Sequence, residues 1–250
     1  MAEHQFESLG FGDKHYFLIR RLHSLTGLVP VGVFLCIHLT VNAAILLPGE
    51  PGHEFQKAVE GIHSLGPLLR PVEIIGIFVP LAFHTLLGFQ IIFIWRSNAL
   101  QYRYGSNIRY TAQRATGMIA AVFIVYHVWQ MHWLGDRLGG GEFELHDQAG
   151  RATAALTTAT LIQQSLWMAT FYAVGVVSSV FHLANGIWTS LITWGITIRP
   201  ETQRAAGYAC TAFGIALTLV GLGALGGFWW FDIQSQPVAG SETTSTHATH

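Results

Sequence analysis

Five stretches of this 250-residue chain are each long and apolar enough to cross a lipid bilayer, and that feature limits what it can fold into. About 30 Å of hydrocarbon takes roughly 20 helical residues at about 1.5 Å each. The stretches run over residues 22–47, 72–95, 113–134, 168–192 and 205–231. Only 11% of the residues are charged and 51% are hydrophobic, whereas about a quarter of a soluble domain is charged. The expected fold is an all-α membrane protein of five transmembrane helices in one domain, residues 1–232. The Ser/Thr/Gly/Gln-rich stretch 233–250 is too polar to pack and is expected to be a disordered tail.

Between the spans lie turn-forming sequences: Pro48-Gly49-Glu50-Pro51-Gly52, the stretch from Asn98 to Asn107, Gly139-Gly140-Gly141 and Arg199-Pro200-Glu201. Residues 145–164 are Ala/Thr-rich and weakly charged, and are expected to lie along the membrane interface. The formal net charge of -1 supplies no basic field for nucleic acid. Cys36 and Cys210 sit in apolar runs without CxxC spacing, which speaks against a zinc or disulfide framework. The first apolar run is too long for the core of a signal peptide.

Lys and Arg mark the cytoplasmic side of a membrane protein. Nine fall on the N-terminal side (Lys14, Arg20, Arg21, Arg96, Arg103, Arg109, Arg114, Arg199, Arg204) and four on the other (Lys57, Arg70, Arg137, Arg151). The N-terminus is therefore expected inside and the C-terminus outside. Trp95, Trp133, Trp194, Trp229 and Trp230 near span ends read as an interfacial belt.

The 13 histidines match the combined Lys and Arg count, and four of them, His38, His84, His127 and His182, lie deep in spans one to four. Ionisable residues at such depth are costly and mark function. Measured from the cytoplasmic ends, His38 and His127 lie about 24 and 21 Å in, and His84 and His182 about 17 and 15 Å. The histidines thus form an outer and an inner pair. In an up-down bundle spans one and three are diagonal, as are two and four, and a group held between two imidazoles needs that wider gap.

Both inner histidines are followed one turn later by glycine, Gly88 and Gly186, which would spare room for a macrocycle edge. Spans one and three share Thr26-Gly27 and Thr116-Gly117, with His38 eleven residues after its glycine and His127 ten. The pattern fits two b-type haems, each with two axial imidazoles, an arrangement that carries electrons and leaves no open position at iron. The rival is a haem-free, histidine-dependent transporter, which would want carboxylates beside the histidines; none lies within four residues of any of the four.

The residues that frame the histidines are Arg20-Arg21-Leu22-His23-Ser24-Leu25-Thr26-Gly27, Ile37-His38-Leu39-Thr40-Val41-Asn42, Tyr126-His127-Val128-Trp129 and Phe181-His182-Leu183-Ala184-Asn185-Gly186-Ile187-Trp188. This pattern, with Thr193-Trp194-Gly195-Ile196-Thr197, resembles the cytochrome b subunit of bacterial succinate dehydrogenases and fumarate reductases. More narrowly it resembles the type in which one five-helix polypeptide holds both haems, over residues 14–232.

The resemblance implies a membrane anchor in the bacterial cytoplasmic membrane that docks a flavoprotein with FAD and an iron-sulfur subunit on the cytoplasmic side. It implies that His84 and His182 ligate the inner haem and His38 and His127 the outer one. Electrons from succinate would pass through both to a quinone, menaquinone by family preference. A fumarate reductase anchor using quinol is the close alternative, and a cytochrome b of a hydrogenase or formate dehydrogenase a more distant one. Some fumarate reductases of this group carry an acidic residue two positions before the helix-four histidine; here that residue is Val180, which favours succinate oxidation.

Arg21, His23, Ser24 and Arg114 sit at the inner ends of spans one and three, where haem propionates need donors, although positive-inside topology also accounts for the arginines. His23 is only one residue into its span, too shallow for an axial ligand. Glu73 and Trp129 are candidates for the quinone site at the outer face, against helix-dipole compensation and plain packing respectively. His53, His63, His132 and His146 read as surface residues. Gly221, Gly223, Gly226 and Gly227 predict close packing of span five.

Overall fold

The computed structural model describes residues 13–94, 105–141 and 143–235. Trp95, Arg96, Arg103, most of the loop expected between Asn98 and Asn107, and residues 236–250 of the expected tail lie outside them. Helix α1 (Asp13–Thr26) runs through a π-helical stretch (Gly27–Gly32) into α2 (Val33–Ala43) and a closing 3-10 turn (Ala44–Leu46). Next come α3 (His53–His63), a 3-10 turn (Gly66–Leu68), α4 (Leu69–Glu73), a second π-helical stretch (Ile74–Phe78) and α5 (Val79–Ile94). Then follow α6 (Gly105–Met131), the short α7 (Trp133–Asp136), α8 (Ala154–Gln163), α9 (Leu166–Thr193) and α10 (Pro200–Trp229).

Among the described residues four helices are long and apolar enough to cross a membrane: Leu18–Leu46, Gly66–Ile92, Leu166–Thr193 and Pro200–Trp229. Helix α6, at 27 residues, is long enough for a fifth, but Arg109, Gln113, Arg114, His127 and Gln130 make it less apolar than the other four. The surface is consistent with lipid as solvent. Leu86, Ile75, Val125 and Leu219, mid-helix and far from any turn, are each about two-thirds exposed or more, a pattern that a water-soluble protein would hide.

The termini of the helices have local causes. Ser165, extended at the N-cap of α9, accepts a hydrogen bond from the Met168 N–H at 3.1 Å. Pro200 occupies the first turn of α10, where its missing N–H costs nothing. Pro30 stands inside the first span, and the helix absorbs it as a π-helical stretch rather than breaking.

Contacts at the two ends fix alternating helix directions. At one end Arg21 and Ser24, near the start of the first span, meet Trp194 at the end of α9, and Trp188 of α9 donates to the Gln203 carbonyl at the start of α10. At the other end Glu73, at the start of the second span, meets His132 and Trp133 just after α6. The first span packs against the second and α6 against α9, and α10 lies along α9 and the first span. The close packing expected of the last helix is present: a Cβ on Gly221 would lie 2.7 Å from Val176, on Gly223 3.3 Å from Leu46 and on Gly227 2.6 Å from Ile45. Gly226 faces open space.

Helix α3 was not anticipated, and α8 is more deeply placed than an interfacial segment would be. Ala154, Ala159, Leu161 and Ile162 of α8 are fully or almost fully buried, packed with Phe55 and Val59 of α3 and with Phe228 and Phe231. Together these helices cap the Glu73 end of the bundle. Gln56 holds the cap together: buried, it donates to the Leu145 carbonyl at 3.1 Å and to Glu60 at 2.8 Å and accepts from the Ala154 N–H at 3.0 Å. Gln56→Leu would leave the buried Ala154 N–H unpaired, and its expected cost is about 1–3 kcal/mol. Thermal unfolding in detergent checks this, with a lowered Tm expected and an unchanged Tm contradicting the assignment of Gln56 as the clamp.

Candidate cofactor site

The imidazole rings of His38 and His127 meet with centroids 5.6 Å apart and planes at 72°. Those of His84 and His182 lie 5.9 Å apart at 84°. The residues that sequence spacing grouped by depth are therefore neighbours in space. The His84–His182 pair lies toward the Arg21 end, beside His23 and Gln113. The His38–His127 pair lies toward the cap, where Phe123 stacks on His127 at 5.6 Å and Tyr172 meets it edge-on at 5.8 Å. Phe34 stacks on His38 at 5.3 Å.

Each ring of the first pair is oriented by the helix opposite. His84 Nδ1 donates to the backbone carbonyl of His23 at 2.8 Å, and His182 Nδ1 to that of Gln113 at 2.9 Å. An imidazole whose Nδ1–H is taken up by a carbonyl presents Nε2 as its free lone pair, the tautomer a metal ligand needs. The rings reach those carbonyls because Gly27 and Gly117 lie one turn further on. A Cβ at Gly27 would sit 2.5 Å from His84 Nδ1, and one at Gly117 2.8 Å from His182 Cε1. Room here depends on the missing side chain.

The pattern of Thr26-Gly27 against Thr116-Gly117 acquires a structural meaning. Both threonine hydroxyls bond back to carbonyls three and four residues earlier, Leu22 and His23 in one helix, Ala112 and Gln113 in the other. The unequal intervals to His38 and His127 also have a cause, since the π-helical stretch Gly27–Gly32 takes up one extra residue. Gly88 and Gly186, expected to leave room for a macrocycle edge, each lie under a side chain of a neighbouring helix. What stands over them is His23 Cε1, 3.2 Å from a Cβ at Gly88, and Gln113 Nε2, 3.4 Å from one at Gly186.

The remaining sequence candidates fall into two places. His23 stacks on His84 at 4.0 Å and donates from Nδ1 to the His84 carbonyl. Ser24 donates to the Arg21 carbonyl and accepts from Trp194 Nε1 at 3.0 Å, and the Arg21 guanidinium lies over the same tryptophan ring. Arg114 lies over Tyr110 and donates to its hydroxyl. At the opposite end the Glu73 carboxylate accepts from Trp133 Nε1 at 2.9 Å and lies 3.5 Å from His132 Nε2. Trp129, at the same end, packs on the 135–140 segment, with Nε1 3.5 Å from the Leu138 carbonyl. His132, expected at the surface, is only about one-fifth exposed, so sequence reasoning missed its part in the Glu73 cluster.

Among the described residues no group of three or more His, Cys, Asp or Glu side chains converges as a metal site. Pairs of imidazoles suit a metal that arrives with most of its coordination already filled, as iron in a porphyrin does. Two imidazole nitrogens at about 2 Å from one metal place ring centroids roughly 6 Å apart, close to both separations here. The buried Nδ1 of His127 has no hydrogen-bond partner among the described residues, so this ring is held by its aromatic neighbours rather than by a carbonyl. These residues fit haem.

The chain is 38% identical over 212 residues to the succinate dehydrogenase cytochrome b558 subunit of Bacillus subtilis (strain 168), covering 85% of this chain and 96% of that one. It belongs to the succinate dehydrogenase cytochrome b family. No family model matches the chain. Membership makes haem b the expected prosthetic group, and the apolar helices make the chain a membrane subunit.

The two close-approach glycines separate this geometry from generic helix packing. Gly27→Ala and Gly117→Ala should each displace a histidine ring and lower haem per polypeptide several-fold, in keeping with the cost of losing an orienting partner. Gly226→Ala, whose Cβ meets nothing within 4 Å, should retain the full complement. Haem absorbance per purified chain is the readout; equal haem in all three would refute the role given to the glycines.

Proposed function

We propose that this chain is the dihaem membrane anchor of a succinate:quinone oxidoreductase, carrying electrons between an iron-sulfur subunit at its Arg21 end and a quinone at its Glu73 end. The observation that carries this reading is the pair of facing imidazole couples at successive depths, one of them with both Nδ1–H groups donated to backbone carbonyls. His84 with His182 and His38 with His127 would each hold one haem, which would supply one-electron transfer. The chain's own residues hold the rings in place and exclude water. His84 and His182 are fixed by the carbonyls of His23 and Gln113, and His38 and His127 are packed by Phe34, Phe123 and Tyr172.

In this reading α6 is the fifth span, and the N-terminus faces the cytoplasm with the positively charged end. Arg21, Ser24, His23 and Arg114 cluster toward that end as donors for propionates, and the flavoprotein with FAD and the iron-sulfur subunit dock there. Quinone reduction takes up protons, and Glu73, with His132 at 3.5 Å, is a carboxylate at the other end placed to pass one on. Trp129 is the aromatic candidate for the quinone wall. Menaquinone is the substrate that family resemblance favours.

Succinate oxidation is favoured over fumarate reduction by Val180. It is fully buried among Leu39, Leu183 and Leu217, so the position two before His182 offers no proton-carrying group. The haem-free transporter reading is disfavoured because the histidines face each other rather than a carboxylate.

Haem content by pyridine haemochrome, measured on the purified complex, tests the proposal. Two haems per chain are expected in the wild type and one in His84→Ala or His127→Ala, with the flavoprotein and iron-sulfur subunits co-purifying. A folded wild-type chain without haem would overturn the reading in favour of the transporter.

A further inference from the structure

The carbonyl contacts of His84 and His182 are returned from the other side. His23 Nδ1 donates to the His84 carbonyl at 3.0 Å, and Gln113 Nε2 donates to the His182 carbonyl at 3.0 Å. Each hairpin is thus closed by a reciprocal clasp: the side chain of one residue on the carbonyl of the other, and the reverse. The correspondence extends along the helices. A threonine follows His23 and Gln113 by three residues and a glycine by four, and a glycine follows each axial candidate by four, Gly88 and Gly186, directly under the clasping side chain. Only the clasping residue differs, histidine in one hairpin and glutamine in the other.

We propose that Gln113 is a positioning residue for the haem site, doing for His182 through a side-chain amide what His23 does for His84 through an imidazole. The inference rests on the dihaem reading above. Gln113 is itself held: its Oε1 accepts from Asn185 Nδ2 at 2.9 Å, and Asn185 Oδ1 accepts from Arg109 Nε at 3.0 Å. The Arg109 guanidinium lies 3.9 Å from the centre of the Trp188 ring, and Asn185 is buried. Asn185 and Trp188 stand one and two turns beyond His182 on α9, so the chain Arg109, Asn185, Gln113 locks α6 and α9 in the register that keeps the His182 Nδ1–H on the Gln113 carbonyl.

That hydrogen bond gives the imidazole partial anionic character and makes it a stronger donor to the metal. A stronger donor favours ferric over ferrous iron and lowers the midpoint potential. Gln113→Leu removes the side-chain half of the clasp while leaving the backbone carbonyl, so the register loosens and the ligand weakens.

Redox titration of the intact complex, followed by haem optical difference spectra, tests this. Gln113→Leu should raise the potential of the haem assigned to His84 and His182, shifting its ferric-to-ferrous ratio about tenfold, roughly 59 mV for one electron, and leave the other haem at its wild-type value. Gln113→His should restore the potential most of the way, because histidine already fills this role at position 23. Two wild-type potentials in Gln113→Leu with both haems present would overturn the proposal, as would Gln113→His matching Gln113→Leu. If Gln113→Leu does not assemble, Gln113→His decides alone: an assembled complex with a near-native potential supports the clasp, and a displaced potential refutes it. Absence of haem from the His84–His182 site in the wild type would instead be a failure of the dihaem reading.

Discussion

An imidazole donating its Nδ1–H to a backbone carbonyl of the facing helix, at a point where glycine lets the ring come close, is the contact on which the centre of this bundle depends. A carbonyl oxygen has two lone pairs, and those of His23 and Gln113 are shared between the imidazole and the threonine hydroxyl three residues on. In hydrocarbon an imidazole nitrogen without a partner is expensive. The carbonyl therefore neutralises the penalty of placing histidine at depth, and it also fixes the tautomer and direction of the ring.

Several other features serve that contact. Thr26 and Thr116 bond back within their helices just before Gly27 and Gly117, at the turn where the ring lands. The π-helical stretch around Pro30 re-phases the first span by one residue, so that His38 meets His127 although their intervals from the preceding glycines differ. The last helix contributes no histidine to either pair; it closes the bundle through Gly221 and Gly227, and its end completes the cap with α3 and α8. One end of the molecule gathers Arg21, Arg109 and Arg114, and the other places Glu73 and His132 around Trp133 together with Arg70 and Arg137.

Much of this could be read in the sequence. Length and hydropathy located the four most apolar spans, because a membrane helix needs only a long enough apolar run. The depth of His38, His84, His127 and His182 along those runs anticipated which rings meet, because an up-down bundle converts sequence position directly into height. Helix α3 was missed because eleven amphipathic residues between turns carry little signal. Gly88 and Gly186 were legible as places where bulk is spared, but not as places covered by the side chains of His23 and Gln113. Gln113 was overlooked because a polar residue at the edge of an apolar run reads as a boundary. The signal that would have found it is the register of His23 with Thr26-Gly27 against Gln113 with Thr116-Gly117. Without coordinates, nothing says that an imidazole and a primary amide do the same work.

The central claim, that two crossed imidazole pairs each bind one haem, is tested most directly by electron paramagnetic resonance of the oxidised complex. Ring planes at 72° and 84° are far from parallel. The account predicts two strongly anisotropic low-spin ferric signals, one lost in His84→Ala and the other in His127→Ala. A single signal in the wild type, or a high-spin one, would contradict it.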